Sequence, residues 1–232
     1  MTQSGTLVWH TGAGWLVLAG GGDWQQEQTA HIDAAALGWA NLNQPIAILT
    51  TAGTATQQAE ALLDYLVDLG GPTGYVVPLY DAGAAQQPDI CDMISQAGLI
   101  YILDGPDILQ LVAALRESAA LAAINQAFLQ GATVLGFGAG AAALGAWVFA
   151  PEDASPVQPG WGWLPNAAIS PHFVDTVSAP QLRDWLAKHP DQLGLGIPDG
   201  LALGLGPSGR VVTVGEGEIT VIVQQQSSSK AD

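Results

Sequence analysis

Residues 131–150, GATVLGFGAGAAALGAWVFA, join a short apolar run to a cluster of glycines and then to small helix formers. The spacing predicts a buried strand over 133–137, a very tight turn, and a helix. A strand, turn and helix in this order make the frame of a nucleophile elbow, where glycines let the chain turn sharply and hold one side chain above a sheet. The position that carries Ser or Cys in such an elbow is Gly138. Glycine has no side-chain oxygen, so an acyl-enzyme on this residue is excluded. Glycine also relieves the strained backbone of an elbow, which costs other residues of order 1–3 kcal/mol. The frame for a nucleophile is present and its nucleophile is absent.

Other chemistries compete for the same residues. Gly136, Gly138, Gly140 and Ala141 fit the G-x-G-x-x-[GA] dinucleotide fingerprint. That pattern belongs in a first βαβ unit with an acid about 20 residues on, whereas here it opens a late helix and Glu152 and Asp153 fall in a Pro-rich loop. The simplest account of these glycines is close packing of a helix on a sheet. Ser170 lies on a strand rather than an elbow, which argues against it as a displaced nucleophile. The lone Cys91 sits in a helical pattern, DICDMISQAG, and is expected to be a small buried residue rather than a thiolate. His10, His31 and His189 show no ligand spacing and are expected at the surface. Glu216 and Glu218 read as solvent-face charges of a hairpin. Trp161-Gly162-Trp163 fits a ligand stack, a lid or a core anchor equally well. No metal or cofactor is expected.

The elements that must position this turn follow from hydropathy and turn residues. Strands are predicted over 14–19, 45–50, 75–79, 99–103 and 133–137, the third ended or edged by Pro78. Helices are predicted over 57–69, capped by Thr54 or Thr56, over 88–97, and in one long stretch from the DGPD turn at 104–107 through 130. Continuously apolar strands alternating with helices predict an α/β fold: a doubly wound, mostly parallel sheet with helices on both faces. The three glycine-rich turns at 20–22, 104–106 and 136–140 all fall at strand ends, where such a sheet forms its crevice. Beyond 150 the texture changes to a Pro, Gly and Trp-rich loop, a strand at 167–170, a helix near 180–188 and a C-terminal β-hairpin region. One domain over 1–223 and a disordered polar tail over 224–232 are expected.

Composition narrows the partners. The chain has 232 residues, with five Lys or Arg against 21 Asp or Glu, a formal net charge of −16. That surface repels phosphate backbones and anionic membranes, so neither nucleic acid nor a membrane is an expected partner. No run approaches the roughly 18 apolar residues of a span. The first residues, MTQSGTLVWH, lack a basic region followed by an apolar core, so a cytoplasmic location is the expectation.

Four stretches in order carry a family resemblance: LVLAGGGD at 16–23, IYILDGPD at 100–107, VLGFGAGAAALG at 134–145, and ISPHF at 169–173 followed by LGLGIPDGLAL at 193–203. The chain resembles the serine peptidases that include dipeptidase E and cyanophycinase, whose fold is similar to class I glutamine amidotransferases. The resemblance places Gly138 where that family has its nucleophilic Ser in a G-[TS]-S-A-G-A pattern. It implies that Ala139 and Gly105 supply the two backbone N–H groups of an oxyanion hole, that His172 is the general base, and that Asp199 stands near the acid, usually Glu. Asp104, Gly21 and Gly22 fall at the crevice in the same alignment of motifs. Three departures accompany this: Gly138 for Ser, Asp104 for the first glycine of a GG-[ND] turn, and Pro106 for its polar third residue. Without the resemblance, His172 between Pro171 and Phe173 also reads as a structural histidine.

The expectation is therefore a homologue inactive as a peptidase, with a crevice for a small peptide or amino-acid-like ligand; the sequence is also compatible with self-association. The alternatives are a hydrolase in which His172 with Asp199 or Asp104 activates water, and a nucleotide-binding module.

Overall fold

A computed structural model describes residues 6–50, 55–149, 157–177 and 179–224. Thr54, Glu152, Asp153 and the tail from 225 on lie outside the described residues. Five apolar runs form the parallel part of the main sheet: β1 Leu16–Ala19, β2 Ile46–Leu49, β3 Gly74–Val77, β4 Leu99–Ile102 and β5 Thr133–Phe137. Between and around them come α1 Ala30–Trp39, α2 Thr56–Asp68, α3 Pro88–Ser95, α4 Ile108–Leu115 and α5 Ala119–Leu129. After β5 follow α6 Ala139–Ala143, the short pair β6 Trp147–Val148 and β7 Gln158–Pro159, then β8 Ala167–Ser170 and α7 Pro180–Lys188. The last strands are β9 Leu193–Gly196, β10 Ala202–Leu205, β11 Val211–Val214 and β12 Thr220–Val223.

The seven-stranded sheet runs β11-β10-β1-β5-β4-β2-β3, in which β10 alone runs antiparallel to its neighbours β1 and β11. A second sheet, β12-β9-β8, holds the strand that leads into His172. Side chains alternate across β1, and each set has its own core. Leu16 and Leu18 pack with residues of α3, α4, α5 and α6, whereas Val17 and Ala19 pack with α1 and α2. Helices thus cover both faces, which is why the parallel strands read as unbroken apolar runs.

Four expectations need correction. The long helix after the DGPD turn is two helices bent by 83°. Glu117 at φ 54° ends the first, and the Ser118 hydroxyl accepts from the Leu121 N–H to start the second, a polar cap that a periodicity reading passes over. Helix α2 starts at Thr56 with Ala55 at its cap and no side-chain cap bond. The C-terminal strands are split: β10 and β11 extend the main sheet beside β1, whereas β12 returns to β9. His10 and His189 are half-buried rather than surface residues. His10 packs against Phe128 and Trp163 and meets Asn125 Oδ1 at 2.6 Å, and His189 stacks on Trp185. Trp163 is accordingly a core anchor. Helix α1 was not predicted from sequence at all. No single described helix is long and apolar enough to cross a membrane.

Candidate active site

The site is assembled at the carboxyl ends of β1, β4 and β5, with β8 bringing the histidine. After β5 the chain turns at Gly138 with φ 53° and ψ −115°, a backbone that residues with a Cβ rarely hold. The Gly138 N–H is anchored on the Ala19 carbonyl at 3.1 Å, which ties the elbow to the end of β1. Gly140 packs directly against the Ile102 carbonyl and Gly136 against α6, where a Cβ would overlap backbone. Close helix-on-sheet packing therefore accounts for both of those glycines.

The Asp104 carboxylate lies over the vacant side-chain position of Gly138. A Cβ built on Gly138 would overlap both carboxylate oxygens and Cγ of Asp104. Asp104 Oδ1 accepts from the backbone N–H groups of Gly105 and Ala139, each at 2.8 Å. These are the two N–H groups that the resemblance assigns to an oxyanion hole, and here both point at one internal carboxylate oxygen. The second oxygen, Oδ2, lies 3.1 Å from His172 Nε2. His172 Nδ1 lies 2.7 Å from Asp199 Oδ1. The three side chains form a continuous Asp104–His172–Asp199 relay.

Backbone contacts fix the histidine. His172 holds φ 50°, and its N–H donates to the Gly20 carbonyl at 2.8 Å. Gly200 N–H donates to the Gly21 carbonyl at 2.9 Å, holding the Asp199 turn against the same loop. Gly21 acts as a floor rather than as a donor to Asp104 Oδ1. At φ 139°, a Cβ on it would overlap the His172 ring and the Asp199 carboxylate. Gly22 lines a small side cavity with Trp24, Tyr101 and Asp104. Gly21→Ala is expected to cost about 1–3 kcal/mol in urea unfolding through its strained backbone, and to break the 2.7 Å His172–Asp199 contact.

Electrostatics follow from these contacts. The hydrogen bond to Asp104 is the main cause raising the His172 pKa; burial opposes it, and the charges of Asp104 and Asp199 add to the rise, leaving it at about 9. For Asp104, burial opposes ionisation, but the bonds from His172, the Ala139 N–H and the Gly105 N–H outweigh it and hold the carboxyl below its ordinary value. His172 is therefore protonated and Asp104 ionised at neutral pH. A raised histidine pKa contributes stability that is complete below about pH 6.5 and lost as pH rises through about 9. The depressed Asp104 pKa contributes stability that is present above 3.8 and lost as pH falls below it. The side chains are 48% and 37% exposed, so solvent screening limits the effect. Urea unfolding is expected to show a loss of about 1 kcal/mol between pH 6.5 and 9.5 that is missing in Asp104→Asn.

Beside the relay opens a cavity of about 800 Å³, walled by Pro106, Ile108, Ala142, Phe149 and Ile169, with Gln58 and Ser170 on its lining. Ser170 lies at the end of β8, as a strand residue. The sequence shows Asp104 as a departure at the crevice but not that it fills the place of a nucleophile. The signal was available, since the replacements at 104 and 138 fall on two turns that must meet. A second buried cluster was also missed. Asp33 is fully buried and accepts from the Thr29 hydroxyl at 2.7 Å and the Tyr101 hydroxyl at 3.2 Å.

A parallel sheet with an elbow after its central strand, two convergent N–H groups and a His–Asp pair defines a hydrolase-type site of the serine-peptidase kind. The chain belongs to peptidase family S51, whose family model matches residues 16–208. It is 26% identical over 168 residues to a cyanophycinase of Synechococcus elongatus, covering 68% of this chain and 52% of that protein. The cyanophycinase of Thermosynechococcus vestitus matches to the same extent. The chain thus spans about half the length of these relatives. Its fold is similar to a peptidase from an acI-B1 Actinobacterium, with a TM-score of 0.64, 21% identity and coverage of 93% of this chain and 97% of that one. It is also similar to a putative peptidase E of Listeria monocytogenes, with a TM-score of 0.61, 15% identity and coverage of 88% and 99%.

Proposed function

We propose that this family S51 chain is inactive as a serine peptidase and uses the retained crevice to hold a small peptide or amino-acid-like ligand. The observation that carries the reading is the Asp104 carboxylate, which overlaps any side chain at position 138 and occupies both N–H groups of the hole. A scissile carbonyl entering the crevice finds no serine oxygen at the elbow and no open N–H pair. Removing one member of a Ser-His-Asp set leaves only about 10³–10⁴-fold catalysis over water, drawn from the hole and from binding. Here the hole is also filled. Direct activation of water by His172 is disfavoured as well, because a histidine with a pKa of about 9 holds its proton at neutral pH.

The test uses the wild-type chain with a fluorophosphonate serine-hydrolase probe and, in parallel, thermal shift with a panel of dipeptides and free amino acids. No labelling together with a saturable shift supports the reading. Labelling of the wild type contradicts it, and a flat panel removes the ligand class.

A further inference from the structure

Asp104 is arranged as an attacking carboxylate. One oxygen is pinned by two N–H groups at 2.8 Å, and the other lies 3.1 Å from His172 Nε2, whose far nitrogen is held by Asp199. The adjoining cavity of about 800 Å³ is walled mainly by apolar side chains. We infer that this crevice hydrolyses a small apolar epoxide to a 1,2-diol through an ester formed on Asp104. The inference rests on the reading above only in that no serine operates.

The step balances with the groups present. Asp104 Oδ2 attacks a ring carbon, the strained carbon–oxygen bond breaks, and its electron pair goes to the ring oxygen. His172, protonated and within hydrogen-bond distance of Oδ2, gives that oxygen its proton. This leaves an ester on Asp104, a hydroxyl on the neighbouring carbon and a neutral imidazole. The charge that raised the histidine pKa disappears on esterification, so His172 becomes a base when one is needed. It takes a proton from water as the water oxygen adds to Asp104 Cγ. The negative charge collects on Oδ1, where the Gly105 and Ala139 N–H groups already point. Collapse breaks the Cγ–Oδ2 bond, and the departing alkoxide takes the proton from His172. The new carboxylic acid then returns a proton to His172, restoring the ionised carboxylate and the imidazolium. The diol leaves with the former Oδ2, and the water oxygen stays in Asp104.

The proton count selects the substrate class. An epoxide oxygen needs a proton as it leaves, and His172 enters the reaction with one to give. A halide needs none and leaves the imidazole protonated for the second step. Glycine at 138 also follows, because any side chain there displaces the attacking carboxylate.

The experiment incubates wild-type protein with less than one equivalent of styrene oxide in H₂¹⁸O, then digests it for mass spectrometry. The expected result is ¹⁸O in the peptide bearing Asp104 and a first-turnover diol free of ¹⁸O. His172→Gln is expected to slow both adduct formation and diol release, each about 10²-fold or more, because the same imidazole supplies the proton to the ring oxygen and takes one from water. Absence of both diol and adduct overturns the inference, as does ¹⁸O in the first diol with an unlabelled Asp104. A wild-type adduct that never releases diol also overturns it. The wild-type measurement needs no variant to fold. The fluorophosphonate result remains separate: labelling there removes the earlier reading, and a missing isotope removes only this one.

Discussion

Installing a serine at the elbow is expected to fail on its own and to succeed when Asp104 is removed with it. Gly138→Ser puts a Cβ into the Asp104 carboxylate and forces a side chain onto φ 53°, ψ −115°. The backbone strain costs about 1–3 kcal/mol, and overpacking costs about 1–3 kcal/mol more. The hole remains filled, so the single variant stays dark to a fluorophosphonate probe. Gly138→Ser combined with Asp104→Gly removes the overlap, releases the Gly105 and Ala139 N–H groups, and leaves His172 facing a hydroxyl with Asp199 behind it. That double variant is expected to label. The two departures from the family pattern are then one coupled change, since the Asp104 carboxylate fits only beside a residue without a Cβ at 138. Equal labelling of single and double variants, read by in-gel fluorescence, contradicts that coupling.

The second large effect falls on the histidine. The hydrogen bond to Asp104 is the first cause of its raised pKa, and the Asp104 charge adds a further rise, whereas Asp199 contributes less. Asp104→Asn keeps the size of the side chain and removes its charge. The His172 pKa is expected to fall from about 9 toward its ordinary 6.5. Each pKa unit is a tenfold change in proton affinity, so the predicted change exceeds tenfold. Asp199→Asn is expected to lower it less. An imidazole proton titration followed by NMR reads both variants, and a larger drop for Asp199→Asn contradicts the ranking.

Much of the fold that frames this site is legible in the sequence. The five parallel strands showed as apolar runs because both sheet faces are covered. The turns at 20–22, 104–106 and 136–140 were placed correctly because glycines mark strand ends in such a sheet. Gly105, Ala139 and His172 converge on Asp104, with Asp199 behind the histidine. The role of Asp104 was not legible, because a side chain filling the space of another residue is a fact of three dimensions. Helix α1 escaped because its sequence, AHIDAAALGW, is small and apolar on nearly every side, so the buried Ile32, Ala36 and Leu37 stripe shows little contrast. The break at Glu117 escaped because a positive φ at a non-glycine residue leaves little trace in composition.

An ionised internal carboxylate sits in the N–H pair formed by Gly105 and Ala139. Scalar coupling through the hydrogen bonds, from the Gly105 and Ala139 amide nitrogens to Asp104 Cγ in ¹³C,¹⁵N-labelled wild-type protein, measures this most directly. Coupling from both amides to that one carbon is the predicted result. Amides that show no coupling to Asp104 and exchange freely with water would leave the hole open and contradict the account.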